Sequence, residues 1–97
     1  MSEQRCFAAI FGPALERYLS LKVTLGRRYC TERAVFENLD AFFAALTGET
    51  DLGPETFTQW CRTQEHLTSG VRRFRMRIVR NFCLYRRRSE PSCFVPD

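Results

Sequence analysis

The sequence predicts an all-α fold, a compact bundle of four helices, or five if the residues before Gly12 form a helix of their own. Three observations predict it. Apolar residues recur at three- and four-residue steps, the signature of one helix face turned to a core. Glycine and proline fall between those runs, where helices stop and start. Strand-type alternation is absent throughout.

The first helix follows Gly12-Pro13, because proline suits an opening turn whose N–H has no helical partner. Leu15, Tyr18, Leu19, Lys22 and Leu25 share its face, and Gly26 is placed to end it. Phe7 and Phe11 extend that stripe backwards, so a preceding turn is expected on the same core. The second helix is read from a Thr31 N-cap, with Glu32 in the positive first turn. Val35, Phe36, Leu39, Phe42, Phe43 and Leu46 give it a wide apolar face, and Gly48 supplies the stop. A short third helix opens at Pro54, with Phe57, Trp60 and Cys61 on one side. The fourth begins near Thr68-Ser69-Gly70, either hydroxyl serving as cap. Its stripe is Val71, Phe74, Ile78, Phe82 and Tyr85, about 80° wide at ~100° per residue. The tail 89–97 has two prolines and no helical period, so the chain divides into a helical domain, 1–88, and the start of a linker, 89–97.

Composition narrows the function classes. At 97 residues and 44% hydrophobic, the chain suffices for one modest core but is too apolar for a disordered tail. No run approaches the ~20 apolar residues of a membrane span, and the opening Met-Ser-Glu-Gln-Arg lacks the pattern of a signal peptide. No catalytic residue is assigned: the single histidine, His66, reads as a surface or capping residue, and no Ser or Cys stands in a nucleophile motif. The five cysteines, at 6, 30, 61, 83 and 93, are widely and unevenly spaced, without a zinc pattern. They are read as free thiols in a reducing cytoplasm, Cys61 and Cys83 as small buried apolar residues. No metal and no cofactor are expected.

Charge is more informative. The net charge is +4, yet from Val71 to Arg88 there are eight arginines and no acid. The rest of the chain holds seven basic against eleven acidic residues, and Lys22 is the only lysine. Arginine offers a planar fork that bridges phosphates and reads guanine edges. An arginine-rich helix on an otherwise acidic domain therefore points to a polyanion-binding face. Arg73, Arg77, Arg80, Arg87 and Arg88 lie away from the apolar stripe, and Arg72, Arg75 and Arg86 on its flank. Tyr29, between Arg28 and the second helix, is placed to stack on or hydrogen-bond a DNA backbone. Trp60 and the phenylalanine stripes read as core.

The run Leu15-Glu-Arg-Tyr18-Leu19-Ser-Leu-Lys22-Val-Thr-Leu25-Gly26-Arg-Arg-Tyr29, followed by Leu39-Asp-Ala-Phe42-Phe43-Ala-Ala-Leu46, resembles the N-terminal core-binding domain of tyrosine recombinases, the phage integrase family. Val71, Arg75, Ile78, Val79, Arg80, Phe82 and Tyr85 look like the last helix of that domain. The resemblance runs over about residues 7–97. Five cysteines, three consecutive arginines at 86–88 and a near absence of lysine depart from the family pattern. The resemblance implies a SAM-like helical bundle that clamps double-stranded recombination-site DNA while a separate C-terminal catalytic domain cleaves and rejoins it. It implies a cytoplasmic, DNA-associated protein of a prokaryotic cell, monomeric as an isolated domain and meeting other recombinase protomers on DNA. Carried onto this sequence, it points to Arg27, Arg28, Thr31 and Arg33, and to arginines of the last helix, Arg72, Arg73, Arg77, Arg80 and Arg87. The rival expectations are a free-standing DNA-binding regulator or RNA binder, and a module whose arginine face docks an acidic protein.

Overall fold

The computed structural model describes residues 7–26, 30–46 and 50–96. Four helices follow in order: α1 Gly12–Thr24, α2 Cys30–Ala44, α3 Pro54–Arg62 and α4 Ser69–Arg86. No strand occurs among the described residues, so the all-α bundle stands as the sequence predicts. The radius of gyration, 13.2 Å, is the ~13 Å of a single folded domain of this size.

Helix α4 packs against both α1 and α2, and aromatic rings fill the junction. Phe82 is wholly buried, with ring centroids 6.2 Å from Phe11 and 5.7 Å from both Tyr18 and Phe36. Phe11 in turn meets Phe43 edge to face at 5.1 Å. In α1 the predicted stripe holds through Leu15, Tyr18 and Leu19; its last member, Leu25, is exposed beyond the helix end. Gly26 has φ +82°, a left-handed conformation that a Cβ would penalise, so glycine terminates α1 as expected.

Residues 9–11 turn before α1, closed by a Gly12 N–H to Ala9 carbonyl bond of 2.8 Å. The Asp40 carboxylate of α2 accepts from Ala8 N–H at 3.0 Å and Ala9 N–H at 2.7 Å, pinning this turn to the bundle. Gly12 is buried at its closest point: a Cβ there would lie 2.7 Å from the Phe7 carbonyl oxygen and 2.9 Å from the Phe7 Cβ. Gly12→Ala is expected to destabilise the fold by roughly 1–3 kcal/mol through this overpacking. Chemical denaturation checks it; an unchanged midpoint would contradict the close approach.

Helix α2 buries Val35, Phe36, Leu39 and Phe43, with Phe42 and Leu46 packed at the edge. It starts at Cys30, one residue before the expected cap, so Thr31 is not an N-cap but an exposed first-turn residue. The expected stop at Gly48 lies outside the described residues. In α3, the Gly53 N–H donates to Thr56 Oγ1 at 2.9 Å, satisfying an amide at the helix start. Trp60 is fully buried, and its Nε1 donates to Asn38 Oδ1 at 2.9 Å, tying α3 to α2. Thr68 caps α4, its hydroxyl accepting from Val71 N–H at 3.3 Å.

The face of α4 differs from expectation at both margins. Val71 is 40% exposed, because it precedes the part of α4 that α1 and α2 cover. Val79, outside the predicted stripe, is wholly buried, next to Cys83, which is buried as expected. The stretch read as linker explains this. Phe94 and Val95 pack on the core, Pro96 is buried, and the Phe94 ring sits 5.9 Å from Phe57 of α3. The Cys93 thiol lies 3.8 Å from the Cys83 carbonyl oxygen. The tail thus covers a side of α4 that periodicity alone leaves to solvent.

Candidate nucleic-acid interface

The acid-free arginine run becomes one face because of where α4 buries its other side. Phe82 and its neighbours turn inward, and Arg73, Arg77 and Arg80, with Arg87 at the C-cap, are exposed opposite. At ~100° per residue these four lie in a stripe about 80° wide, and at 1.5 Å per residue they extend over roughly 21 Å. Among the described residues, no carboxylate forms an ion pair with any of them. Arg80 is partly engaged, its Nε donating to the Pro96 carbonyl at 3.1 Å. The remaining guanidinium nitrogens of Arg80 make no hydrogen bond among the described residues.

At the N-terminal end of the stripe, a groove of about 500 Å³ opens between α3 and α4. Arg62 of α3 and Arg72 and Arg73 of α4 line it, with Cys61, Ser69 and Met76. Arg72 is half-buried on this wall rather than on the open face. Arg62 joins the basic surface without having been singled out in the sequence. It is separated from the α4 run by acid-containing chain, and only the approach of two helices brings it there.

The other expected contacts divide. Thr31 is exposed at the start of α2. Arg33 is instead occupied within the fold: its Nε lies 3.5 Å from Glu37, its Nη2 3.9 Å from Glu16, and its guanidinium 5.2 Å from the Phe7 ring centroid. Arg27, Arg28 and Tyr29 lie outside the described residues.

Two arginines of the run serve the interior. Arg86, expected on the flank of the stripe, is 7% exposed. It grips the Asp51 carboxylate through two bonds of 2.8 Å and reaches Glu90 at 3.1 Å. These bonds outweigh the cost of burial and raise its pKa further above the ordinary arginine value. For Asp51, burial pushes the pKa up. The Arg86 hydrogen bonds, the Leu52 N–H and the Arg86 charge overcome that and hold the carboxyl below its usual value. Arg75 donates at 2.6 Å to Oε1 of buried Gln64, whose Nε2 donates to Asn38 Oδ1 at 3.2 Å. Helix period shows such arginines only as flanking positions; their acceptors come from remote loops.

Cys30, Cys61, Cys83 and Cys93 are free thiols. Burial pushes the Cys83 thiol up to about 12, which keeps it protonated at neutral pH, a packing residue as expected. Cys61, expected to be buried, is half-exposed on the groove wall, because short α3 covers only one side of it. No cluster of three or more His, Cys, Asp or Glu suited to a metal occurs among the described residues. Among those residues, no helix is long and apolar enough to cross a membrane. No family model matches the chain, and neither curated proteins nor solved structures give a match.

Proposed function

We propose that this chain is a DNA-binding module of the tyrosine recombinase type, holding double-stranded site DNA for a separate catalytic domain that cuts and rejoins it. The observation that supports this reading best is the stripe of Arg73, Arg77, Arg80 and Arg87, exposed and without carboxylate partners among the described residues. A solvated arginine with acids in reach pairs with them, as Arg33 does here with Glu16 and Glu37. Over its roughly 21 Å the stripe can meet several phosphates of one duplex, each contact adding affinity by releasing condensed counterions. The likeness of α1, α2 and α4 to the core-binding pattern adds the recombinase context. In that context the chain works in the cytoplasm on DNA, alongside further protomers.

A salt titration of duplex affinity tests the reading. With three to five phosphate contacts, log K against log salt is expected to slope at about −3 to −4.5. Arg73→Ala and Arg77→Ala should each weaken binding and flatten that slope by about 0.9, while the helical circular dichroism stays unchanged. A flat salt response, or unchanged affinity in the double variant, would transfer the arginine face to an acidic protein partner.

A further inference from the structure

We propose that the α3–α4 groove is a pocket for one unpaired nucleotide of the bound DNA, so that the protein prefers duplex with a gap or distortion over continuous duplex. The inference rests on the DNA-binding reading and adds to it a substrate structure that a flat arginine face does not select. The groove has the charge for a phosphate. Arg62, Arg72 and Arg73 line it, and none of the three makes an ion pair or side-chain hydrogen bond among the described residues. Glu65, the single carboxylate on the lining, leaves the wall with a net excess of two positive charges. Its volume, about 500 Å³, exceeds what a phosphate alone needs. At roughly 30 Å³ per water-sized atom, it has room for on the order of fifteen non-hydrogen atoms, close to a base with its deoxyribose, which leaves the phosphate at the arginine-lined mouth. Met76, 36% exposed, and the Cys61 thiol supply soft apolar surface between the guanidiniums. A base entering there would meet the Met76 thioether and the arginine guanidiniums, surfaces that attract any base face irrespective of sequence. A paired, stacked base cannot enter a cleft between two helices. Only an unstacked one can reach the groove while the same strand lies along Arg73 and Arg77.

The test uses the whole chain and two 20-base-pair probes of identical sequence, one intact and one with a two-nucleotide gap exposing thymines. The gapped probe is expected to bind at least fivefold more tightly. Arg62→Ala, at an exposed position on α3, should abolish that preference, so that the gapped and intact probes bind this variant alike. Arg77→Ala should weaken both probes alike. The gapped probe should also slow alkylation of Cys61, read by mass spectrometry, and the intact probe should not. Equal affinity for the two probes, or a preference that survives Arg62→Ala, overturns the pocket and leaves the duplex reading standing. Absence of salt-dependent binding to either probe overturns both.

Discussion

Phe82→Ala is expected to cost roughly 3–5 kcal/mol of stability, a large share of what a domain of this size possesses. The residue is fully buried where α1, α2 and α4 meet, and its ring touches aromatic partners from both other helices and from the turn before α1. Phe11, Tyr18 and Phe36 are themselves almost wholly buried, so none can swing in to fill the void. Partial relaxation is why aromatic truncations fall at the upper end of cavity costs. Denaturant unfolding followed by circular dichroism measures the loss. A cost below about 1 kcal/mol would mean that α4 does not seat Phe82 at this junction. Because Phe82 lies on the face of α4 opposite Arg73, material that remains folded should keep its salt-dependent affinity for duplex.

How much of this was legible in the sequence depends on whether the determining contacts lie within one helix. The wide face of α2 was readable because Val35, Phe36, Leu39 and Phe43 repeat at helical spacing over more than two turns. The exposed arginine stripe was readable for the same reason, each member being fixed by its angle to Phe82. What escaped came from elsewhere in the chain. Val79 is buried outside the predicted stripe, on the side of α4 to which Cys93 of the tail returns, and nothing in the α4 period announces that cover; Cys83 beside it is buried as expected. Thr31 was read as the cap although α2 already includes Cys30 before it, a helix-end offset of the ordinary kind. Arg86 was read as flank because charge normally marks solvent; its burial depends on Asp51, 35 residues earlier, which no local pattern pairs with it. The groove needs Arg62 beside Arg72, a meeting of two helices that sequence order does not display.

The second large effect concerns that buried ion pair, and it should be asymmetric. The Arg86 side chain is 8% exposed, whereas those of Asp51 and Glu90 are 42% and 44% exposed. Asp51→Ala therefore leaves a buried guanidinium with Glu90 as its remaining carboxylate among the described residues, on top of a buried Nε that already lacks a partner among them. Breaking a fully buried pair in this way costs about 3–5 kcal/mol; with Asp51 partly solvated, roughly 2–3 kcal/mol is expected. Arg86→Met removes the desolvated charge itself, fills similar space, and returns both carboxylates to water. Its cost should be at most about 1 kcal/mol. Urea unfolding at neutral pH measures both, and equal losses would show that the pair acts as a surface bridge. Acid supplies an independent check. The folded state holds the Asp51 carboxyl below its ordinary value near 3.8, so it binds that proton less readily than the unfolded chain does. The stabilisation is complete above the unfolded value and disappears as pH falls through the lower folded one. As pH falls through and below the ordinary value near 3.8, wild type should lose more stability than Asp51→Ala, and the gap between them should narrow. If that gap stayed constant as the carboxyl protonates, the destabilisation in Asp51→Ala would come from lost packing of the 51–56 loop, not from the Arg86 charge.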